Sequence, residues 1–318
     1  MKNANIISVQ ALTSGNRTHR PLYPGLEQAI ENLKSHFISK ENYSLISPEG
    51  MSIILEDLAN FPLGRHIILS GGSNGMWTDY LISPQEYLET EKTIIDLDLS
   101  VVERFFLFSS PAVLAQRELH AKLQKTAQHH IKDGKTFASI PCGLMRDLLS
   151  LDYSDANNVS LIGIDIDQES IKRSKLLASK MKVNQISYIQ EDAWNLQYKK
   201  TFDFISSIGL NVYEKDNEKV IGLYKNLYDA LKPGGILFTG VLTWPPYFDK
   251  EKSDWNMNLI PKYDMYLETI IHRDILNIQW FNFRTIAEAK DDFRKAGFKN
   301  IKIEQDSRCI FPAIIATK

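Results

Sequence analysis

The alternation of strand-like and helix-like segments from Thr136 onward most constrains the fold of this chain. Short apolar runs of strand length alternate with segments whose apolar residues recur every three or four positions. The strand-like runs are Thr136–Ile140, Val159–Asp165, Ile186–Gln190, Phe202–Ser206 and Gly235–Val241. Strands that alternate with helices indicate a parallel sheet covered by helices on both faces. We therefore predict a doubly wound α/β domain.

The end of the chain departs from this alternation. A long stretch rich in Trp, Tyr and Pro follows Val241, and a helical segment then spans Thr285–Ala296 and is closed by Gly297. Two strand-like runs follow, Ile301–Gln305 and Ile310–Thr317, and they are close enough in sequence to pair antiparallel. The full prediction is a mostly parallel seven-stranded sheet with a C-terminal antiparallel strand pair.

The sequence before Asp133 has a different character. Segments such as Leu26–Phe37, Pro84–Thr93 and Ala112–Ile131 have helical spacing, and Gly71–Gly75 is a loop. We predict a helical N-terminal region, residues 1–133, that covers the active site and contributes to the substrate pocket. Residues 134–318 form the predicted α/β domain.

Composition excludes several functional classes. The formal net charge is −2 and no run of one sign marks an arm for nucleic acid, so we expect no nucleic-acid partner. Cys142 and Cys309 lie far apart without metal-ligand spacing, so we predict no metal site and no disulfide framework. No apolar run is long enough to span a bilayer, and Met1–Arg20 lacks the apolar core of a secretory signal. We expect a cytoplasmic protein, and its oligomeric state stays open.

Polar residues follow the predicted strands at the edge where doubly wound sheets bind ligands. Gly143, after the first strand, lets the backbone approach a ligand, and the following helix offers free N–H groups to an anion. Asp165 ends the second strand, where a carboxylate suits the two hydroxyls of a ribose. Asp192 and Ala193 follow the third strand and suit the amino group and face of an adenine ring. These positions predict a cofactor that contains adenosine.

In the order and spacing of these motifs the chain resembles the class I S-adenosylmethionine-dependent methyltransferases, over about residues 135–318. Phe137–Asp147 stands where that family has its glycine-rich first motif, and Leu231–Gly235 resembles its lead into the fifth strand. Ala296–Phe298 resembles its passage from the last helix to the next strand. The resemblance implies S-adenosyl-L-methionine as the cofactor. The cofactor-binding residues it implies are Ser139, Pro141, Cys142, Gly143, Asp147, Asp165, Ile166, Asp192, Ala193 and Ser207.

The first motif departs from the family pattern of an acid followed by three spaced glycines. Ser139 replaces the acid, Pro141 the first glycine and Met145 the third, so only Gly143 remains. The family acid is a common partner of the ammonium group of the cofactor's methionine part. Asp147 or the loop carbonyls after Ser206 would have to replace it.

Methyl transfer is an in-line displacement at a sulfonium carbon, so the protein mainly aligns the acceptor and excludes water. Asn211 and Tyr213, after the fourth strand, are candidates to orient the acceptor. The candidate walls of the substrate pocket are Trp77, Tyr80, Trp244 and Tyr247. Trp244–Tyr247 is similar to the Pro-Pro-Tyr motif of methyltransferases that act on nucleic acid bases, but it follows the fifth strand instead of the fourth. We expect a small-molecule acceptor, lipid-like ones included, and the acceptor atom stays open.

Two alternatives come from other functional classes. A non-catalytic protein that binds an adenosyl ligand would explain the degenerate first motif. A nicotinamide dehydrogenase is disfavoured because the chain lacks a G-x-G-x-x-G motif.

Overall fold

The computed structural model describes residues 24–39, 45–88, 98–278 and 281–318. Its α-helices, in chain order, are α1 (Leu26–Ile38), α2 (Pro48–Asn60), α3 (Pro62–Ser70), α4 (Gly75–Ile82), α5 (Val101–Phe108), α6 (Pro111–His130), α7 (Arg146–Leu149), α8 (Gln168–Lys180), α9 (Asn217–Ala230), α10 (Lys262–Thr269) and α11 (Ile286–Lys295). The strands are β1 (Thr136–Ser139), β2 (Ser160–Asp165), β3 (Ile186–Gln190), β4 (Phe202–Ser207), β5 (Leu231–Gly240), β6 (Asn300–Glu304) and β7 (Ala313–Thr317).

The strands form one seven-stranded sheet in the order β3-β2-β1-β4-β5-β7-β6. The first five strands are parallel, while β7 pairs antiparallel with both β5 and β6. The predicted fold class is therefore confirmed, including the C-terminal antiparallel pair. The winding reverses between β1 and β4, because β1 leads outward to β2 and β3 on one side and the chain returns to β4 on the other.

Both faces of the sheet are buried, which explains the nearly continuous apolar character of its strands. Phe137 of β1 packs into a cluster with residues of α6 and α8 on one face. Its neighbour Ala138 packs into the cluster formed with α9 and α11 on the other face. Successive side chains of a strand point to opposite faces, so each face needs its own helical layer.

Packing divides the chain into two compact units, and their bounds differ from the predicted ranges 1–133 and 134–318. One unit comprises Met1–Leu114 with Ile260–Gln279, and the other comprises Ala115–Leu259 with Trp280–Lys318. Most of α6 therefore belongs to the unit that contains the sheet. Its residues Leu119, Leu123 and Ala127 are fully buried in the sheet's core cluster.

The first unit is helical, as expected, but its elements differ from the predicted segments. Only a short 3₁₀ turn, Pro84–Glu86, begins the segment expected to be a helix over Pro84–Thr93, and the rest of that segment from residue 89 lies outside the described residues. Helices α2, α3, α4 and α5 had not been delimited from the sequence. Another addition is α10, which continues as a π-helical turn, Ile270–Ile275, inside the stretch read as irregular. None of the helices within the described ranges is both long and apolar enough to cross a membrane.

Candidate active site

The carboxyl ends of β1, β2 and β4 meet where the winding of the sheet reverses, and the loop after β1 is tied to β2 there. The Cys142 amide donates to the Ile164 carbonyl at 2.8 Å. The Gly143 amide donates to Asp165 Oδ2, also at 2.8 Å. Gly143 has a φ of +48°, in the left-handed region that glycine adopts without strain. The glycine predicted to approach a ligand thus lies against the carboxylate predicted to bind one.

Asp165 is held in place by backbone amides. Its second oxygen, Oδ1, accepts the Asp167 amide at 2.9 Å, and only 7% of the residue is exposed. Burial raises the pKa of its carboxyl, partly opposed by these amide hydrogen bonds. Asp165 does not cap the next helix, because Asp167 caps α8 through the amides of Glu169 and Ser170. The Ile166 amide acts on this carboxylate as well. A carboxylate has about four acceptor positions, so these three amides leave one for a ligand.

Asp147 lies buried between the ends of β1 and β4. Its Oδ2 accepts the hydroxyl of Ser139 at 2.9 Å and also the hydroxyl of Ser206. Burial raises the pKa of this carboxyl, and the serine hydroxyls act in the opposite direction. The residue that replaces the family acid, Ser139, is thus bonded to a carboxylate eight positions later in the chain.

Met145 stands where the family pattern has its third glycine and still has a left-handed backbone, with φ at +59°. Its side chain is buried beside Gly163, where a Cβ would lie 3.1 Å from Met145 Sδ and 2.8 Å from Tyr188. The loop therefore keeps the turn that glycine favours, although a side chain occupies the position.

After β3, Asp192 begins a short 3₁₀ turn, Ala193–Asn195. Its carboxylate accepts the Trp194 amide at 3.0 Å and the Asn195 side-chain amide at 2.6 Å. Ala193 is buried, whereas Ile166, after β2, is 66% exposed. An exposed apolar side chain beside Asp165 is available to cover a flat ring.

After β4, the chain turns through a 3₁₀ segment, Leu210–Tyr213. The Asn211 side-chain amide donates to the Gly240 carbonyl at 2.9 Å and lies 3.0 Å from the Tyr224 hydroxyl. These contacts join the β4 loop to the end of β5, so the amide nitrogen of Asn211 is already engaged. Tyr213 is 41% exposed and packs edge-on against Phe281 at 5.3 Å.

Known proteins resemble this chain in sequence and in fold. The methyltransferase domain family matches residues 140–235, which run from the loop after β1 into β5. Demethylmenaquinone methyltransferase from Staphylococcus saprophyticus is 24% identical over 178 residues, 55% of this chain and 74% of that protein. The apo structure of the S-adenosylmethionine-dependent methyltransferase SibL superposes with a TM-score of 0.50 at 12% identity, covering 85% of this chain and 75% of SibL.

Residues 140–235 belong to the methyltransferase domain family, and the sheet that contains them has the class I methyltransferase fold. A solved structure described as a possible exported protein from Bordetella parapertussis is 33% identical, with a TM-score of 0.84 over 95% of this chain and 98% of that chain. Membership of the family implies S-adenosylmethionine as the cofactor.

Aromatic side chains form a continuous group beside the carboxyl ends of β4 and β5. We call this group the aromatic run. Neighbouring ring centroids are 4.9 to 6.2 Å apart. Its members are Tyr213, Phe281, Phe283, Trp244, Phe248, Tyr247 and Trp255. The sequence analysis selected Tyr213, Trp244 and Tyr247 for the site. It missed Phe281 and Phe283 because long-range contacts bring them there, among them the bridge between Leu242 and Phe283 and the hydrogen bond from the Asn282 amide to the Val212 carbonyl.

Within the aromatic run, the two tryptophans differ. The Trp255 indole N–H donates to Thr243 Oγ1 at 3.1 Å, which anchors this ring. The Trp244 Nε1 is shielded from solvent and has no hydrogen-bond partner among the described residues. Lys252 Nζ lies 4.7 Å from the centre of the Trp244 ring, a cation–π contact.

The structure shows packing contacts for three further positions from the sequence analysis: Trp77, Tyr80 and Cys142. Trp77 and Tyr80 are buried in the first unit and pack edge-on at 5.8 Å, and the Tyr80 hydroxyl donates to Glu103. Their contact with an acceptor stays a prediction.

Cys142 is buried, and burial raises the pKa of its thiol, so it is a packing residue and not a nucleophile. Across the residues with described coordinates, no His, Cys, Asp or Glu group is arranged to hold a metal ion.

Proposed function

We propose that this chain transfers a methyl group from S-adenosylmethionine to a small-molecule acceptor. The observation that carries the proposal is the hydrogen bond between the Gly143 amide and Asp165 at the switch point of the sheet. It fixes the β1 loop and the β2 carboxylate as one surface, with an acceptor position left on Asp165. An acidic side chain beside a glycine turn at the switch point of such a sheet suits the hydroxyls of an adenosine ribose.

The remaining cofactor contacts are assigned from their positions around Asp165. Ile166 covers one face of the adenine, while Asp192 and Ala193 approach its edge. The loop residues Ser139, Pro141, Cys142, Gly143, Asp147 and Ser207 surround the amino-acid part of the cofactor.

When bound, the cofactor supplies a methyl group activated by its sulfonium charge. The protein's own residues then position the acceptor and keep water away. The aromatic run, with Trp244 and Tyr247, offers an apolar surface for the acceptor, and Tyr213 presents a hydroxyl-bearing ring there. Asn211 acts by holding the Tyr213 segment to the end of β5.

A small-molecule acceptor is supported by two observations. The relative from Staphylococcus saprophyticus is named for demethylmenaquinone, a small molecule. The sequence has a net charge of −2 with mixed signs and no run of basic residues, which disfavours nucleic acid as the substrate. A cytoplasmic location and a covering role for residues 1–133, together with Trp77 and Tyr80, stay predictions.

Calorimetric titration with S-adenosylmethionine, S-adenosylhomocysteine and NADH tests the cofactor assignment. We expect micromolar or tighter binding of the first two and none of NADH. Formation of S-adenosylhomocysteine with a panel of quinols, phenols and amines then tests transfer. Binding without turnover across the panel would favour the non-catalytic adenosyl-binding alternative, and the absence of binding would refute the proposal.

A further inference from the structure

A small cavity lies at the amino ends of β1, β4 and β5. Its volume is about 140 Å³, which is enough for several water molecules or one tetrahedral oxyanion, since a water molecule takes about 30 Å³ of the liquid. Phe137 and Phe204, both fully buried, close its inner side. Three basic side chains and one acidic side chain are among its lining residues: His130, Lys132, Lys135 and Asp203.

This cavity is separate from the candidate active site. The loop that contains Gly143 follows the carboxyl end of β1, whereas Lys135 precedes its amino end. The first and last Cα atoms of this four-residue strand are about 10 Å apart at 3.3 Å per residue. All lining residues belong to the compact unit that contains the sheet. An inference about this cavity therefore does not rest on the proposed function.

Asp203 is shared by two lysines, which leaves one positive charge unmatched. Its Oδ1 accepts a hydrogen bond from the Lys135 ammonium group at 2.8 Å, and its Oδ2 accepts one from Lys232 at 2.6 Å. The Thr136 amide also donates to Oδ2, at 3.0 Å. One carboxylate carries a single negative charge, whereas the two ammonium groups carry one positive charge each.

Lys132 adds a second positive charge to the lining. The residue is exposed, and its ammonium group has no ion pair with a carboxylate in the described part of the chain. The carboxyl end of α6, at His130, opposes it with only about half a negative charge. The cavity therefore keeps a net positive charge when Asp203 and the helix end are both counted.

Side chains, and not the neighbouring amide of the β5 segment, are available to a ligand here. The Gly234 amide donates to the Lys318 carbonyl at 3.0 Å and is already engaged. His130 Nδ1 lies 2.8 Å from the Thr126 carbonyl oxygen, which can only accept, so the proton is assigned to Nδ1. His130 therefore has Nε2 left for a ligand, and this nitrogen becomes a donor when the ring is protonated.

We propose that this cavity binds a phosphate group, either of free phosphate or of a phosphate monoester, through Lys132 and Lys135. Such a group carries about 1.5 to 2 negative charges at pH 7, which match the two unmatched positive charges. Lysine binds phosphate as a point charge and does not need the fixed fork of a guanidinium group. The small volume favours a single phosphate group over a longer polyanion.

Calorimetric titration of the full chain with inorganic phosphate tests the site, with chloride used to keep the ionic strength constant. We expect saturable binding with a Kd of about 1 mM or tighter. Lys132→Met should weaken it at least about threefold, whereas Lys132→Arg should stay within about twofold of the wild type. Lys250→Met is the matched control, because it removes an exposed lysine from the loop after β5, and it should change nothing.

Asp203→Asn gives a result that local damage cannot imitate. Without the carboxylate charge, Lys135 and Lys232 lose their ionised partner, so phosphate should bind at least about threefold more tightly. Acetylation of surface amines, read by mass spectrometry, locates the ligand. Bound phosphate should slow the acetylation of Lys132 and Lys135 and leave that of Lys250 unchanged.

Glycerol 3-phosphate distinguishes the two sources of the phosphate group. Binding at least as tight as that of inorganic phosphate would assign the site to a monoester, and weaker binding would assign it to free phosphate. The proposal is overturned if inorganic phosphate shows no saturable binding. It is also overturned if either Lys132→Met or Asp203→Asn keeps the wild-type affinity. None of these measurements uses the adenosyl cofactor, so the proposed function is tested separately.

Discussion

At the scale of single residues, the β1 loop preserves its backbone where its side chains have changed. Met145 keeps the left-handed conformation of the glycine it replaces, at a cost of roughly 1–2 kcal/mol for a residue with a Cβ. Its buried thioether fills the space beside Gly163 and Tyr188, and this packing offsets the cost. Ser139 likewise loses the charge of the family acid but binds the carboxylate of Asp147. The motif is degenerate in its residue types more than in its geometry.

Replacing Asp165 by alanine should weaken cofactor binding. The variant loses the ribose partner and also the acceptor of the Gly143 amide, so affinity for S-adenosylhomocysteine should fall by about 10- to 150-fold. Titration calorimetry measures the loss, and circular dichroism checks that the fold is kept. Unchanged affinity in a folded variant would refute the ribose assignment.

Asp147→Asn should raise stability at neutral pH while it weakens cofactor binding. Because burial raises the pKa of this carboxyl above its unfolded value, its contribution to stability is greatest in acid. That contribution is lost as the pH rises through the folded-state pKa. Between the unfolded and folded pKa values, each pH unit lowers the free energy of unfolding by about 1.4 kcal/mol. Urea unfolding of the ligand-free protein should show the variant's advantage growing from acid to neutral pH.

Asp203→Asn is the matched control, because the pKa of this carboxyl is shifted in the opposite direction. Burial would raise the pKa of Asp203, but hydrogen bonds from Lys135 and Lys232 outweigh it and lower the pKa. Its contribution is therefore present above its unfolded pKa and lost in acid. This variant should be less stable than the wild type at neutral pH and equal to it in acid. If both variants lose stability at neutral pH, the argument for Asp147 is wrong.

At the scale of secondary structure, the sequence predicted the elements whose burial follows a simple period. The strands β1 to β5 were located within a few residues because each is buried in a sheet that imposes its spacing. Helix α11 was located because a capping box, Thr285–Glu288, marks its start. Helix α10 was not located, because it lies among aromatic residues and continues into a π-helical turn. Its position depends on packing that no local period reveals.

In the candidate site, too, the sequence predicted residues that local patterns mark and missed those that only the fold brings together. Asp165 and Gly143 could be selected because a strand end and a glycine turn are local features. The hydrogen bonds from Ser139 and Ser206 to Asp147 join β1 to β4. The two serines are 67 positions apart in the sequence, and the pairing of β1 with β4 brings them together. Phe281 and Phe283 were missed for the same reason.

The contact of α6 with β5 yields a prediction with an internal control. A Cβ at Gly240 would lie 2.4 Å from Leu119 Cδ2, and Leu119 is fully buried. Gly240→Ala should therefore destabilise the protein by about 1–3 kcal/mol through overpacking. Gly222, within α9, has no atom within 4 Å of such a Cβ, so Gly222→Ala should stabilise by about 0.5–1 kcal/mol.

Thermal or urea unfolding of the two alanine variants tests this difference. Adding Leu119→Ala to Gly240→Ala removes the collision, so the double variant should be more stable than the sum of the two single losses predicts. Strict additivity would place the cost of Gly240→Ala elsewhere, such as in its carbonyl contact with Asn211.

At the scale of the whole molecule, the unit that contains the sheet begins within α6 and not after it. Leu119, Leu123 and Ala127 present one face of this helix to the core, spaced four residues apart. The change in sequence character near residue 133 therefore marks the start of the alternating strands and helices. The compact unit that contains the sheet begins earlier, at Ala115.

Two fragments test where the sheet unit starts. A fragment of residues 131–318 lacks all three buried α6 residues, two of them leucines, and truncating even one buried leucine to alanine typically costs about 2–5 kcal/mol. We expect it not to fold cooperatively, while residues 111–318 should fold and bind S-adenosylhomocysteine. Circular dichroism and calorimetry provide the readouts. A folded, binding 131–318 fragment would show that α6 is dispensable to the sheet.

The tryptophans of the aromatic run allow ligand binding to be followed by the intrinsic fluorescence of the protein. Trp244 and Trp255 are two of the five tryptophans, and they lie at the strand ends, where their emission senses local polarity and quenching. A quinone or other electron-accepting ring that stacks there would quench this emission without any attached dye. Titrating the unlabelled protein in a fluorimeter, with Trp244→Phe to identify the emitting ring, could therefore rank candidate acceptors before any turnover is detected.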